Sequence, residues 1–266
     1  MPKVKNLIAA LPEPETLDLQ ALRNALADGS VELVCVLGPT ASGKTRYAVR
    51  LAHELGPGAE IISADSRQVY RRMDIGTGKD LSEYGDVPYH LIDIAEPGTQ
   101  YNVYRFREDF FRAFEDIRAR GGIPILCGGT GLYISAVTGG YDFKDKKPLS
   151  MPSDQESGAN IPRTFFIGTL VSREERNARI DARLDARLQE GMTDEIQALL
   201  DEGVPAEVLI SYGLEYKFVT LYLTGQISYG EMREHLAIAI HQFAKRQMTW
   251  FRGMERSGIR IHWVIP

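Results

Sequence analysis

The residues with the clearest chemical pattern are a glycine-bracketed run that ends in a lysine and a threonine. They match the spacing G-x-x-x-x-G-K-[ST] and follow the apolar residues 31–37 directly: Gly38, Pro39, Thr40, Ala41, Ser42, Gly43, Lys44 and Thr45. In such a loop the backbone N–H groups turn inward around a phosphate, the lysine reaches the outer phosphate, and the threonine hydroxyl binds Mg²⁺. The pattern predicts a polyphosphate site with Mg²⁺ as cofactor, and it leaves the identity of the polyphosphate open.

Other polar residues follow the apolar runs that we interpret as strands. Asp65 comes just after residues 60–63, where it could hold Mg²⁺ through water, accept a proton from a nucleophile, or cap a helix. Residues 74–79 form a turn that offers a threonine and a lysine, and Thr130 lies in a second glycine turn. Asp93 lies in a third apolar run, and we predict that its role is structural. Because parallel sheets place their chemistry at the carboxyl ends of the strands, we expect these segments to meet in one crevice.

The elements that position these residues alternate between short apolar runs and helical patterns. We predict strands at residues 31–37, 60–63, 89–94, 123–127, 164–170 and 259–265. We predict helices at residues 44–55, 102–120, 131–138, 172–190, 192–202, 205–223 and 228–252. Alternation of this kind, with strands apolar at consecutive positions, predicts a doubly wound parallel α/β sheet with helices added at the C-terminal end.

Composition excludes several classes of protein. The 266 residues have a formal net charge of −5, with 44% hydrophobic and 25% charged residues, which are ordinary globular values. There is no apolar stretch of the roughly 18 residues that a membrane span needs, and no secretory signal is recognisable. Cys35 and Cys127 lie in apolar runs, as buried thiols of a reducing compartment do. We therefore expect a cytoplasmic protein. The Asn-Lys-x-Asp motif of GTPases is absent from the sequence.

Six motifs in order carry a resemblance to a known family. They are GPTASGKT, SADSRQVY, MDIGTGK, HLID, GGTGLY and, near the C-terminus, AKRQMTWFR. Together they resemble the tRNA dimethylallyltransferase family over about residues 31–137 and 164–264. The resemblance implies a P-loop NTPase-like parallel sheet flanked by helices, with additional C-terminal helices.

The resemblance also implies a reaction and its residues. In the family, N6 of an adenine, adenosine 37 beside the tRNA anticodon, attacks C1 of dimethylallyl diphosphate, and diphosphate leaves. The phosphate loop would then hold a leaving group. Asp65 matches the catalytic aspartate that takes the N6 proton, Thr130 matches a position near the substrate adenosine, and Arg173 matches an arginine that reaches the diphosphate. The segment that matches a contact with the target nucleotide comprises Asp65, Ser66, Arg67 and Gln68.

The chain departs from the family pattern in two places. Between Tyr133 and Arg163 the family carries a long helical insertion that grips the anticodon stem-loop, whereas this chain has only the weakly patterned residues 139–163. Glu215 stands where the family motif has glycine.

We predict an N-terminal extension with one short helix at residues 1–30 and a P-loop prenyltransferase domain at 31–266, with 139–163 as a loop in place of the insertion.

Three alternatives remain open at this point. Adenylate dimethylallyltransferases, which prenylate free AMP, also lack the insertion. A P-loop nucleoside or nucleotide kinase would use the same loop for ATP with an arginine-rich lid, and a scaffold without chemistry would bind RNA alone. A stripe of arginines at helical spacing suits either a kinase lid or, with the basic residues of the last helix, a channel for an RNA backbone. The two sets are Arg176, Arg179, Arg183 and Arg187, and Lys245, Arg246, Arg252 and Arg256. Nothing in the sequence indicates an oligomeric state.

Overall fold

Six parallel strands form the central sheet of the computed structural model, which describes residues 12–139, 141–142, 147–148 and 161–266. The strands are β1 (Leu33–Leu37), β2 (Ala59–Ser63), β3 (Tyr89–His90), β4 (Ile123–Gly128), β7 (Thr164–Thr169) and β8 (Ile261–Val264). They lie in the order β3-β2-β4-β1-β7-β8, and every pair is parallel. A small antiparallel pair joins β5 (Tyr141–Asp142) to β6 (Lys147–Pro148).

Helices cover both faces of the sheet. Within the described residues they are α1 (Leu19–Ala27), α2 (Lys44–Leu55), α3 (Val103–Ala119), α4 (Gly131–Thr138), α5 (Arg173–Gln189), α6 (Met192–Asp201), α7 (Ala206–Ser211), α8 (Leu214–Leu223) and α9 (Tyr229–Arg256). A short 3₁₀ helix, Leu81–Tyr84, precedes β3. The predicted α/β class, parallel sheet and additional C-terminal helices are confirmed. None of the described helices is long and apolar enough to cross a lipid bilayer.

Strand β1 shows why the central runs of the sequence are apolar at every position. Leu33, Cys35 and Leu37 contribute to the hydrophobic core shared with α3, α4 and α9. Val34 and Val36 contribute to the core on the opposite face, with α1 and α2. Because both faces are covered, a central strand has no solvent side, and the alternation of apolar and polar residues disappears.

Two predicted elements are shorter than expected. The strand predicted at residues 89–94 ends at His90, because Leu91 and Asp93 have positive φ angles of 62° and 57° that take the chain out of the sheet. The helix predicted at residues 205–223 is two helices, α7 and α8, separated by Gly213 with a φ of 77°. Both breaks depend on left-handed backbone conformations, which the hydrophobic pattern does not report.

The two peripheral segments are described only in part. In the predicted N-terminal extension, residues 1–11 lie outside the described part, and α1 packs on the sheet through the buried Leu22. Most of the loop predicted at residues 139–163 also lies outside the described residues, apart from the β5–β6 pair. The division into these segments stays a prediction.

The stacked pair of Phe106 and Tyr133 provides a test of the core between α3 and α4. Phe106 is fully buried, and its ring lies 4.1 Å from that of Tyr133. Replacing Phe106 by alanine is expected to lower the free energy of unfolding by about 3–5 kcal/mol, because it leaves a cavity. The control is Phe111→Ala on the same helix, where the side chain is only partly buried and the loss should be smaller. Denaturant titration measures both, and equal losses would contradict this packing.

Candidate active site

The phosphate loop, residues 38–45, connects the end of β1 to the start of α2. Its turn requires positive φ angles at Ala41 (61°) and Gly43 (78°). The Ser42 hydroxyl lies 2.7 Å from the hydroxyl of Thr169 at the end of β7. A Cβ atom at Gly38 would overlap both of these hydroxyls, so only glycine fits there. The loop is thereby held in the curved shape that directs backbone N–H groups toward an anion.

Gln247 of α9 joins the phosphate loop to the second glycine turn. Its side-chain oxygen accepts a hydrogen bond from the Thr40 backbone N–H at 2.8 Å. Its amide nitrogen donates to the Gly129 carbonyl at 2.9 Å, and a Cβ atom at Gly129 would overlap that nitrogen. The sequence contained Gln247 within a recognised motif but gave it no role. One buried amide on the last helix therefore fixes the spacing of two loops.

Two cationic side chains lie beside the loop. The Arg183 guanidinium donates to the Thr40 hydroxyl at 2.6 Å, and the Lys44 ammonium lies 3.5 Å from the Pro39 carbonyl oxygen. Burial lowers the pKa of Lys44. Burial, together with repulsion from Arg187, lowers the pKa of Arg183 to about 10. Each pKa is lowered because the charged form loses hydration, so an anion bound here would stabilise both cations.

Arg67 and Arg187 form a second cationic pair, which shares the carboxylate of Glu215 in α8. Glu215 is 3% exposed, and its carboxylate lies 2.5 Å from the Arg67 guanidinium and 3.7 Å from that of Arg187. Arg67 also lies over the ring of Phe243, 5.6 Å from its centroid. Burial lowers the pKa of Arg187, whereas at Arg67 the carboxylates of Glu215 and Asp65 outweigh burial and raise the pKa. Glu215, which stands where the family motif has glycine, is thus the shared counter-ion of the half-buried Arg67 and the buried Arg187.

Asp65 and Thr130 come together at the ends of β2 and β4. Oδ1 of Asp65 accepts from the Arg67 backbone N–H at 3.0 Å, and within the described part of the chain no hydrogen bond reaches the second carboxylate oxygen. The Ser66 backbone N–H donates to the Thr130 hydroxyl at 3.1 Å, and the Thr130 N–H donates to the Ala64 carbonyl. The predicted meeting of these two strand ends is confirmed.

The other two residues of the predicted nucleotide-contacting segment have internal partners. Arg67 is paired with Glu215, and the Gln68 amide donates to the Gly78 carbonyl at 3.2 Å. Both side chains are therefore engaged in contacts within the protein. Asp65 and Ser66 are the members of the segment nearest to Thr130.

The turn at residues 74–79 does not present its lysine to a ligand. The Lys79 ammonium is fully buried and donates to Asp74 (2.6 Å), Asp93 (2.5 Å) and the Tyr70 carbonyl (2.7 Å). The Thr77 hydroxyl donates to the Met73 carbonyl at 2.5 Å. The expected structural role of Asp93 is confirmed. The interpretation of this turn as a donor of free hydroxyl and ammonium groups is wrong, because its own fold uses both.

The arginine stripe of α5 is divided between the site and the surface. Arg183 and Arg187 point into the site, whereas Arg179 pairs with Glu175 and Arg176 is buried. Arg183 and Arg187 contact the phosphate loop and Glu215, and the channel for an RNA backbone stays a prediction. Three of the basic residues of α9 line a separate groove of about 630 Å³, with Trp250 beside them: Lys245, Arg246 and Arg256.

Arg173, predicted to reach the diphosphate, is the first residue of α5 and is exposed. In this structure the arginine that contacts the phosphate loop is Arg183, almost three helical turns later. The sequence showed that Arg183 shares a helix face with the other arginines of the stripe. The residues that this face contacts depend on how α5 packs against the loop, and the spacing of the arginines alone does not reveal that packing.

The residues at the loop fit a magnesium ion that is held mainly by a substrate. Thr45 lies in the first turn of α2, next to Lys44, and offers a hydroxyl oxygen. Mg²⁺ prefers oxygen ligands and is commonly held by one or two protein groups together with phosphate oxygens and water. The described residues contain no cluster of three or more His, Cys, Asp or Glu side chains that could hold a metal by themselves.

Comparison with known families gives matches along most of the chain. A family model described as IPP transferase matches residues 68–161 and 144–254, and one described as isopentenyl transferase matches residues 31–84. The two segments of the first match overlap at residues 144–161. This overlap falls inside the stretch 139–163, where the sequence predicts a loop in place of the family insertion.

Curated relatives share nearly half of the sequence. The tRNA dimethylallyltransferase 1 of Parabacteroides distasonis is 48% identical over 286 aligned positions, which take in 88% of this chain and 92% of the relative. The tRNA dimethylallyltransferase 2 of Trichlorobacter lovleyi is 46% identical, with the same coverage of each chain. Because the first alignment is longer than the 266 residues of this chain, that relative has residues at positions where this chain has none.

Solved structures of the same kind superimpose on the fold. The tRNA isopentenylpyrophosphate transferase of Bacillus halodurans gives a TM-score of 0.75 at 29% identity and covers 88% of this chain and 89% of its own. The tRNA delta(2)-isopentenylpyrophosphate transferase of Staphylococcus epidermidis gives 0.74 at 29% identity, with 88% and 92% covered.

The position of Arg183 predicts a contrast between two arginines of one helix. Arg183→Ala is expected to weaken binding of inorganic diphosphate by about 10–100-fold, the value of a hydrogen bond to a charged group. Arg173→Ala is the matched control and should bind as the parent does, since Arg173 is exposed at the start of α5. Isothermal titration measures both. Weakened binding in the Arg173 variant alone would contradict the assignment.

Proposed function

The chain belongs to the tRNA dimethylallyltransferase family, and we propose that it moves the dimethylallyl group of dimethylallyl diphosphate onto N6 of adenosine 37 in the tRNA anticodon loop. Prenyl transfer to tRNA is the activity after which these relatives are named. The observation that carries the proposal is the position of the phosphate loop, with the half-buried Lys44 and Arg183, at the same sheet edge as Asp65.

The transfer exchanges one bond for another. The N6 lone pair attacks C1 of the donor, a C–N bond forms, the C1–O bond breaks, and diphosphate leaves with the bonding electrons. N6 then carries a proton that must be removed. Asp65 accepts that proton in the proposal, because an exocyclic amine is a weak nucleophile and needs a positioned acceptor.

Charge accumulates on the diphosphate as the C1–O bond breaks. Backbone N–H groups of the phosphate loop, the Lys44 ammonium and the Arg183 guanidinium would hold the leaving group. These donors are already partly desolvated and fixed in place, so little reorganisation accompanies the reaction. Thr45 would hold Mg²⁺ together with diphosphate oxygens, and the ion would supply further stabilisation of the leaving-group charge.

The acceptor side comprises Asp65, Ser66 and Thr130. Thr130 fixes the backbone that follows Asp65 through its hydrogen bond with Ser66. A base within a folded tRNA loop must leave its stack to reach these groups, at a cost of roughly a few kcal/mol that is smallest for a base that is already unpaired. A single-stranded loop nucleotide is therefore a suitable acceptor for a site placed at a sheet edge.

Free AMP is the second candidate acceptor, and one observation favours it. The alignment with the relative from Parabacteroides distasonis is longer than this chain, so this chain has less protein with which to grip an anticodon stem. Against AMP, the relatives that match over most of the chain are named as tRNA enzymes. The nucleoside kinase and the scaffold without chemistry have no support from the comparisons.

The proposal places the reaction in the cytoplasm. Cys35 and Cys127 are both free and buried, which suits a compartment where thiols stay reduced.

The role of Asp65 predicts a variant that binds but does not react. Asp65→Asn keeps an oxygen that can accept from the Arg67 N–H, so the local turn should be preserved. Transfer is expected to fall by about 10²–10⁴-fold, the usual contribution of a general base, while inorganic diphosphate binds as before. Single-turnover transfer and isothermal titration measure the two quantities. A variant that transfers at the parental rate would refute the base assignment.

The acceptor is tested with the parent protein, Mg²⁺ and radiolabelled dimethylallyl diphosphate. One reaction receives an unmodified tRNA with the sequence A36-A37-A38, and another receives AMP. Label on the tRNA, located at A37 by nuclease mapping, is the expected result. Label on AMP alone would assign the protein to the adenylate enzymes, and label on neither would overturn the proposed transfer.

A further inference from the structure

Glu195 of α6 receives four hydrogen bonds on its carboxylate. Oε2 accepts from the backbone N–H groups of Asp74 and Ile75, each at 2.7 Å. Oε1 accepts from the Gly76 N–H at 3.0 Å and from the Tyr216 hydroxyl at 2.7 Å. Three successive N–H groups that point at one place form a nest for an anion, and here a side chain of the same protein supplies the anion.

The nest belongs to the turn that lies behind the acceptor side of the site. Within this turn, the Gly78 carbonyl accepts from the amide of Gln68, three residues after Asp65. A Cβ atom at Gly78 would overlap the guanidinium of Arg187, so that arginine lies directly on the turn. Displacement of the turn would therefore reach both Gln68 and Arg187.

The turn is also fixed from its other end. Lys79 is buried and forms ion pairs with Asp74 and Asp93. Among the described residues of the turn itself, no backbone carbonyl accepts from the N–H groups of Asp74–Gly76. Glu195 is the group that satisfies those three donors. Gly76 is buried and Ile75 is half-buried, so their N–H groups lose hydrogen bonds to water on folding and need an acceptor within the protein. The turn therefore depends on a carboxylate from α6 for its shape.

We propose that Glu195 is a positioning residue for transfer to the acceptor: through the 74–79 turn it sets the place of Gln68 and Arg187 behind Asp65. The inference rests on the proposed function, because only that function makes Asp65 the residue that faces the acceptor. Glu195 contacts no reacting atom. It connects the helices that follow α5 to the sheet edge where the N6 amine would react.

The phosphate loop should be insensitive to this carboxylate. The loop is held by Thr169 of β7 and by Gln247 of α9, and neither contacts the 74–79 turn in the hydrogen bonds of the described chain. A substitution at Glu195 should therefore affect the acceptor and the donor differently. The kcat/KM for tRNA should change, and the affinity for diphosphate should not.

The test uses the full chain with Glu195→Gln and, as matched control, Asp194→Asn. The glutamine has one oxygen and presents an NH₂ group where the nest requires an acceptor, whereas Asp194 is the exposed neighbour on the same helix. With saturating donor, kcat/KM for tRNA is expected to fall by about 10²-fold in the Gln variant, as for a misplacement of roughly 1 Å. The affinity for inorganic diphosphate should stay at the parental value, and the control should match the parent in both.

Amide hydrogen exchange of residues 74–76 gives a readout that does not depend on catalysis. Exchange there should accelerate in the Gln variant and remain as in the parent in the control. Parental kcat/KM, parental exchange, or a parallel loss of diphosphate binding and transfer would each overturn the positioning role. A parent protein that labels no tRNA would overturn the proposed function instead, and exchange in the turn would still decide whether Glu195 holds it.

Discussion

Positive charge that is taken out of water at one edge of the sheet is the constraint on which the rest of this structure depends. Lys44, Arg183 and Arg187 have lowered pKa values because burial removes their hydration. A group of cations that has lost part of its hydration is stable only if anions and hydrogen-bond acceptors surround it. The protein supplies Glu215 and the carbonyl and hydroxyl oxygens of the phosphate loop, and a bound diphosphate would supply the remainder.

Three helices of the C-terminal third of the chain, α5, α8 and α9, provide this environment. Helix α5 brings Arg183 and Arg187, α8 brings Glu215, and α9 brings Gln247, which holds the two glycine loops at a fixed spacing. The C-terminal third of the chain therefore completes the site that the first half begins.

The sequence predicted those parts of the site whose backbone conformation depends on residues that are neighbours in the chain. Residues 38–45 and Asp65 could be placed because a glycine pattern or an acid directly follows an apolar strand. Arg183, Gln247 and Glu195 could not be given their contacts, because their partners lie more than a hundred residues away in the chain. Helical spacing shows which residues share a face, and only packing shows what that face meets. The breaks at Leu91 and Gly213 were missed for a different reason, since a left-handed backbone leaves hydrophobic periodicity unchanged until the chain has already turned.

The central claim is that the half-buried cations Lys44 and Arg183 hold a leaving diphosphate while Asp65 faces the acceptor amine. The most direct measurement is a crystal structure with an anticodon stem-loop and the unreactive thiolo analogue of dimethylallyl diphosphate. The account predicts phosphate oxygens within hydrogen-bond distance of Lys44, Arg183 and the N–H groups of residues 38–45, and adenine N6 beside the Asp65 carboxylate. Diphosphate bound away from this loop, or an adenine whose N6 points away from Asp65, would contradict it.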